Sequence, residues 1–378
     1  MTLDLKPQWR STVVAFRGYN VSNGGRSAEL LRHPEYGPVV KEFLLEASEL
    51  CSEVTGARTD LVRRVRRGVT TRLDTFAKDI ALIVALELAQ IRLLEQFHQI
   101  EYRQARMAFG YSLGELSALV CGGVCRMRDI LPPLLSLAGE CAELGHDVTM
   151  GVVFSRGSEL EMTAVERLCR TINRAGQGVM GVSARLSPNT VLVLGQGDTI
   201  DRFKVEMPAL LGPHVHLRKN RERWPPLHTP ILWERSVTNR AAAQSHTIPF
   251  SETAPQPPVF SLATGGISYT GGDDALSVLN RWIDHPQLLW EAVYETLSTG
   301  VSTVVHVGPE PKLIPATFRR ISENVTTQVS GTSPRSLGLR AMSTIWRPWV
   351  SKWLSRRSAL LRAPSIKHVI LEDWLLDS

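Results

Sequence analysis

QARMAFGYSLGEL, residues 104–116, joins a short apolar run to an apolar segment that is compatible with a helix. It contains the pattern G-x-S-x-G, from Gly110 through Ser112 to Gly114. When a strand turns sharply into a helix, small neighbours allow the turn and the central hydroxyl stands above the sheet. The first free N–H groups of the helix, that of Leu113 among them, then face any negative charge developing on a bound carbonyl. The stretch therefore favours an α/β fold with Ser112 as a nucleophile, over the alternative of a purely structural turn.

Composition places the chain among ordinary soluble globular proteins, with 378 residues, 43% hydrophobic and 21% charged. The longest apolar run, residues 80–91, is interrupted by Glu87 and predicts a buried helix rather than a membrane span. The first residues, MTLDLK, contain no signal-peptide core, so the cytoplasm is the expected location. The net charge of +6 comes without a nucleic-acid motif, and we expect no nucleic-acid partner. Five cysteines without a C-x-x-C pair indicate reduced thiols and no metal site.

The order of predicted strands and helices indicates one domain inserted into another. Residues 11–18 predict a first buried strand that runs into a loop at Gly18 and Tyr19. Residues 149–218 alternate as β-α-β-β-α-β, which predicts a ferredoxin-like inserted subdomain. Residues 1–148 and 219–330 then form a discontinuous large α/β domain, and residues 331–378 a C-terminal helical extension. We expect the site in the cleft between the large domain and the insert.

A serine nucleophile needs a base, and histidine suits this role near neutral pH. His228 lies in the segment WPPLHTP, where prolines on both sides fix a loop that leaves the insert. His98, His146 and His306 lie in apolar or helix-end segments, which favours packing roles for them. His228 is therefore the candidate base.

Four short motifs resemble those of one enzyme family. GYSLGE at 110–115 is similar to the G-H-S-L-G-E signature of malonyl-CoA:acyl carrier protein transacylases and polyketide synthase acyltransferase domains. FRGY at 16–19 resembles that family's F-P-G-Q, PLH at 226–228 its histidine loop, and VGP at 307–309 its late G-P turn. The four occur in the family's order over residues 11–322. The resemblance implies a large α/β-hydrolase-like domain with a parallel sheet and an inserted ferredoxin-like small domain.

The resemblance also implies roles for individual residues. Ser112 would attack an acyl thioester and become acylated, with His228 acting as base and then as acid. The main-chain N–H groups of Leu113 and Tyr19 would form the oxyanion hole, and a main-chain carbonyl near Trp282 would orient the histidine. The donor would be an acyl-CoA and the acceptor the phosphopantetheinyl thiol of an acyl carrier protein, in ping-pong kinetics without a bound cofactor.

One departure from the family affects the acyl group. The arginine that clamps the malonyl carboxylate is expected about 25 residues beyond the serine, and Leu137 occupies that position. Fungal starter-unit domains and related loading acyltransferases, which lack this arginine, take uncharged acyl groups. The sequence therefore does not decide which acyl group is transferred, and malonyl is still among the candidates. Four other arginines are candidates to replace the clamp: Arg126, Arg128, Arg156 and Arg185.

Other readings of the chain stay open as well. A thioesterase or esterase would use the same serine turn, and a catalytically degenerate homologue would serve as an assembly subunit. The arginine-rich segment 58–72 predicts either a solvated helical face or a docking surface for an acidic protein. Trp346, Trp349 and Trp353 share one face of a predicted helix, so residues 344–362 either pack on the domain or contact a membrane surface or a protein.

Overall fold

The computed structural model describes residues 4–68, 70–156, 159–330 and 359–378. Two β-sheets organise these residues. The strands of the larger sheet are β1 (Thr12–Phe16), β2 (Met107–Gly110), β7 (Val259–Ser261), β8 (Gly266–Ile267), β9 (Thr303–Val307) and β10 (Lys367–Ile370). The strands of the smaller sheet are β3 (Val148–Ser155), β4 (Met180–Ser187), β5 (Thr190–Gln196) and β6 (Val215–Arg223).

The larger sheet has the order β10-β9-β1-β2-β7-β8 and is parallel except for β8. Every residue of β1 is buried, as a strand covered on both faces requires. Phe16 lies opposite Gly110 on β2 and opposite Val307 on β9, so three strands end at the same edge. The carboxyl ends of parallel strands are where such sheets place their sites.

Helices cover both faces of this sheet. They are α1 (Ser27–Arg32), α2 (Tyr36–Thr55), α3 (Leu61–Arg67), α4 (Phe76–His98), α5 (Leu113–Cys121), α6 (Met127–Gly145), α7 (Met162–Arg174), α8 (Thr199–Leu211), α9 (Val237–Ser245), α10 (Gly272–Trp282), α11 (Leu289–Ser298), α12 (Leu313–Ser330) and α13 (Leu371–Asp377), with α7 and α8 on the smaller sheet. The apolar run 80–91 forms the middle of α4, which packs against α2, α5 and α6. Across the described ranges, no helix combines the length and apolarity that crossing a bilayer requires.

The smaller sheet is antiparallel, with the order β4-β5-β3-β6. The helices α7 and α8 cover one face, and β3-α7-β4-β5-α8-β6 is the ferredoxin-like succession expected from the sequence. The sheet extends beyond the predicted insert, because β6 continues to Arg223. This longer strand brings the chain to Trp224, directly before the loop that carries His228.

The described end of the C-terminal segment contains a strand beside the helix α13. A helical extension was expected over 331–378, but residues 367–370 form β10, which pairs in parallel with β9. Four residues are too few to reveal a strand by periodicity, and this strand is stabilised by covering the edge of β9. Trp346, Trp349 and Trp353 lie outside the described residues.

The arginine-rich segment divides into a buried and an exposed part. Arg64 forms an ion pair with Asp79, at 2.6 Å, and both side chains are almost fully buried. Arg63, Arg66 and Arg67 on the same helix are exposed. The segment is thus neither wholly a solvated face nor wholly available for docking.

Candidate active site

The turn between β2 and α5 places Ser112 at the edge of the larger sheet. Ser112 has φ 53° and ψ −116°, a conformation that a non-glycine residue adopts only where its surroundings enforce it. A Cβ at position 110 would lie 1.9 Å from the carbonyl carbon of Gly114. A Cβ at position 114 would lie 2.3 Å from the carbonyl oxygen of Arg17, so the two motif glycines let α5 approach both β2 and the end of β1.

Two side chains hold the backbone of Ser112 in this conformation. The amide oxygen Oε1 of Gln287 accepts from the Ser112 N–H at 3.0 Å, and the indole N–H of Trp282 donates to the Ser112 carbonyl at 3.0 Å. Gln287 is fully buried, and Trp282 nearly so. Hydrogen bonds at both peptide groups stabilise the strained residue from two sides.

His228 contacts the serine hydroxyl. Its Nε2 lies 2.6 Å from Ser112 Oγ, and its Nδ1 lies 2.7 Å from the main-chain oxygen of Trp282. A carbonyl can only accept, so Nδ1 carries the hydrogen and Nε2 presents a lone pair to the hydroxyl. Burial lowers the pKa of His228 to about 4, which keeps the imidazole neutral at physiological pH. The pair thus has the geometry of a nucleophile with its base.

The segment after α10 also fixes His228 itself. The His228 N–H donates to the carbonyl of Ile283 at 2.8 Å, and the imidazole meets the Trp282 indole edge-to-face, with ring centroids 5.2 Å apart. The amide nitrogen of Gln287 packs 3.2 Å from His228 Nδ1, a contact that is not a hydrogen bond because both nitrogens carry hydrogen. These contacts, together with the positive φ of 66° at His228, fix the direction of its ring.

The three other histidines considered from the sequence lie elsewhere. His98 pairs with the hydroxyl of Tyr36, His146 is exposed, and His306 is buried with its Nε2 3.0 Å from His368. The structure thus brings only His228 of these four to Ser112.

The loop after β1 lies against the serine turn. A Cβ on Gly18 would lie 2.6 Å from the carbonyl oxygen of Tyr111, so this contact requires glycine. Tyr19 packs edge-to-face on Phe76 and on Trp224. Among the described residues, the main-chain N–H groups of Tyr19 and Leu113 have no intramolecular acceptor. Both are therefore free to donate to a ligand.

Arg17 holds this loop, a contact that the sequence did not reveal. Its Nε donates to the carbonyl of Gly18 at 2.7 Å, and its terminal nitrogens donate to the carbonyls of Ser22 and Pro309 and to the side-chain oxygen of Asn23. Burial lowers the pKa of Arg17 to about 10, so it stays charged at neutral pH. The guanidinium thereby joins the loop after β1 to the turn after β9.

Ser112 and His228 line a cavity of about 1030 Å³ between the two sheets. Its polar lining includes Asn20, Asn189 and Arg185. Within the described ranges, no group of three or more histidine, cysteine or acidic side chains could hold a metal ion. The five cysteines are free thiols.

Leu137 is buried and does not line this cavity. Of the four arginines considered as a replacement clamp, Arg185 alone lines it. Arg126 pairs with Asp129, Arg128 with Glu46, and Arg156 is exposed.

Solved structures share this fold. An acyl carrier protein S-malonyltransferase from Vibrio cholerae O1 biovar eltor superposes with a TM-score of 0.65 at 23% identity, covering 82% of this chain and 93% of that one. A malonyl-transacylase in complex with its type II polyketide synthase acyl carrier protein gives 0.61 at 20% identity, with 82% and 92% covered. The acyltransferase domain from module 8 of the salinomycin polyketide synthase gives 0.63 at 17% identity, with 82% and 67% covered.

The chain shares the fold of these three solved proteins. The fold class predicted from the sequence is confirmed. The solved proteins that share this fold belong to the family that the motifs resemble. The sequence matches no protein-family model, and no curated protein is significantly similar to it.

Proposed function

We propose that this protein is a serine acyltransferase that moves an acyl group from a CoA thioester to the phosphopantetheinyl thiol of an acyl carrier protein. The observation that carries the proposal is the contact of Ser112 Oγ with His228 Nε2, in a cavity, with the imidazole oriented by a main-chain carbonyl. The proteins that share the fold act on acyl carrier proteins or belong to a polyketide synthase, which supports this reaction class.

In the first half-reaction Ser112 Oγ attacks the thioester carbonyl while His228 Nε2 takes the hydroxyl proton. The carbonyl oxygen becomes an oxyanion, which the N–H groups of Tyr19 and Leu113 would stabilise. Collapse of this intermediate breaks the carbon–sulfur bond, and His228 returns the proton to the departing CoA thiolate. The product is an acyl ester on Ser112.

In the second half-reaction the carrier thiol replaces CoA. His228 takes the thiol proton as the sulfur attacks the ester carbonyl, and it returns that proton to Ser112 Oγ as the ester breaks. The hydroxyl and the neutral imidazole are restored, so the cycle balances without a cofactor. In this proposal residues 1–148 and 219–330 form the domain that holds the acylated Ser112. Residues 149–218 form the insert that closes the cavity. The predicted location is the cytoplasm.

Intact-mass measurement after incubation with a panel of acyl-CoAs tests the proposal. We expect an acyl adduct that disappears in Ser112→Ala and persists in Ser117→Ala, since Ser117 is a buried serine within α5 that donates to Glu87 instead. Addition of phosphopantetheinylated acyl carrier protein should then transfer the adduct faster than water removes it.

Two outcomes would favour the alternatives. Rapid hydrolysis of the adduct without transfer to the carrier protein would indicate a thioesterase or esterase. Retention of biological activity in Ser112→Ala would instead indicate an assembly subunit.

A further inference from the structure

The cavity beside Ser112 is larger than a three-carbon acyl group requires. Its volume of about 1030 Å³ slightly exceeds the range of roughly 300–1,000 Å³ for sites that bury a drug-sized ligand. Ser112 and His228 line it, so an acyl group on the serine enters the same space. Room is therefore available for an acyl chain in addition to a pantetheine arm.

One wall of the cavity is apolar. Its side chains come from α11, α12 and the smaller sheet: Trp290, Tyr294, Ile314, Ile321, Leu186 and Leu192. A carboxylate against this wall would lose its hydration without gaining a partner, whereas a hydrocarbon chain would gain from leaving water. The wall therefore disfavours a charged acyl group.

Arg17 lines the same cavity as Ser112 and is therefore a candidate for a carboxylate clamp. Its N–H groups, however, already bond to main-chain carbonyls and to Asn23. Turning the guanidinium toward a substrate would break the contacts that hold the loop of Tyr19. The guanidinium of Arg17 is therefore not available to bind a substrate carboxylate.

The other cations of the cavity are neutralised or exposed. Arg185 lies between Glu159, at 3.0 Å, and Glu291, at 3.8 Å. Lys312 pairs with Glu310, and Arg320 is exposed. Among the described residues that line the cavity, none supplies a buried cation for a substrate carboxylate.

We propose that the acyl group carried by Ser112 is an uncharged hydrocarbon chain, longer than acetyl, that lies along this apolar wall. The inference rests on the acyl transfer proposed above and names its substrate class. Because each buried methylene lowers the free energy of the bound state, kcat/KM for acylation should rise about fourfold per added methylene until the wall is filled.

Acylation rates with a panel of CoA thioesters test this. Acetyl-, malonyl-, butanoyl-, octanoyl- and dodecanoyl-CoA are each mixed with excess protein, and the adduct on Ser112 is followed by intact mass. We expect octanoyl-CoA to react at least a hundredfold faster than acetyl-CoA, and malonyl-CoA at least tenfold slower than butanoyl-CoA, its uncharged counterpart in length. Malonyl-CoA reacting as fast as butanoyl-CoA would overturn the inference and leave the acyl transfer intact. No adduct from any donor would instead overturn the acyl transfer itself.

A pair of variants tests where the acyl chain lies in the cavity. Ile321→Phe adds volume on the apolar wall, so the ratio of dodecanoyl to acetyl rates should fall at least tenfold. Leu210→Phe, a matched change on the exposed face of α8, should leave the ratio unaltered. The ratio compares two substrates of one protein, so a loss of folded protein does not affect it. An unchanged ratio in Ile321→Phe would overturn the placement.

Discussion

The indole N–H of Trp282 donates to the carbonyl of Ser112 at 3.0 Å, while the main-chain oxygen of Trp282 accepts from His228 at 2.7 Å. One residue thus orients both the nucleophile and its base. The side chain and the main chain of Trp282 act on different partners, so a substitution can separate them.

Trp282→Phe should retain the carbonyl contact with His228 and lose the bond to Ser112. The Ser112 carbonyl would keep only the bond from the Glu115 N–H, at 3.0 Å, and the loss of one hydrogen bond costs about 0.5–1.5 kcal/mol, so we expect the acylation rate to fall about twofold to tenfold. Single-turnover acylation measures this. Trp9→Phe is the control, because the buried indole of Trp9 also donates to a main-chain carbonyl, that of Glu101, at 2.8 Å. Equal loss of rate in both variants would contradict a specific role of Trp282.

Gln287 holds the other peptide group of Ser112. Gln287→Met keeps its length but removes the acceptor, so acylation should slow at least tenfold while KM changes little. Gln287→Glu retains an acceptor and places a carboxylate near His228 Nδ1, which should raise the pKa of the histidine. The pH profile of acylation should then shift to higher pH in Gln287→Glu. An unshifted profile with a normal rate would show that the side chain only fills space.

The buried histidine predicts an unusual pH dependence. Acylation needs the neutral imidazole, and the pKa of His228 is lowered to about 4. Activity should therefore stay nearly constant from pH 8 to pH 6 and decline only toward pH 4, whereas an ordinary histidine would already be mostly protonated at pH 6. The rate of acylation, measured with a donor stable over this range, checks the prediction. A midpoint near 6.5 would contradict it.

The contacts of Arg17 predict that this side chain affects kcat in addition to the stability of the protein. Arg17→Met removes the donors to Gly18, Ser22 and Pro309, so the loop that carries the Tyr19 N–H loses its support. We expect kcat to fall at least tenfold with a smaller change in KM, since the oxyanion forms only in the transition state. Steady-state kinetics and urea unfolding on the same samples test this. A variant that loses stability but keeps kcat would assign Arg17 to folding alone.

Local rules of sequence predicted the parts of the site that depend on neighbours along the chain. The glycines around Ser112 follow from the turn, and His228 from the prolines beside it. The structure brings these residues and Tyr19 together, and it places the Trp282 carbonyl at His228 as the family resemblance implied. Their catalytic roles stay predictions until the variants are measured.

The side-chain contacts of Trp282 and Gln287 could not be predicted in this way. They reach Ser112 across 170 and 175 residues of chain, and a lone glutamine after a proline has no pattern that indicates a contact. The contacts of Arg17 could not be predicted either, because its acceptors are mostly main-chain oxygens, which any residue supplies. β10 was missed since its stability comes from β9 rather than from its own four residues.

The position of β1 between β2 and β9 has a consequence for the protein's synthesis. The hydroxyls of Ser11 and Ser302 lie 2.9 Å apart although 291 residues separate them. At about 5–20 residues per second, the ribosome needs roughly 15–60 s to make the second partner of β1. Throughout that time the apolar strand TVVAF has one edge without its final neighbour. We expect the nascent chain to depend on chaperones, and its yield to fall where translation outpaces them.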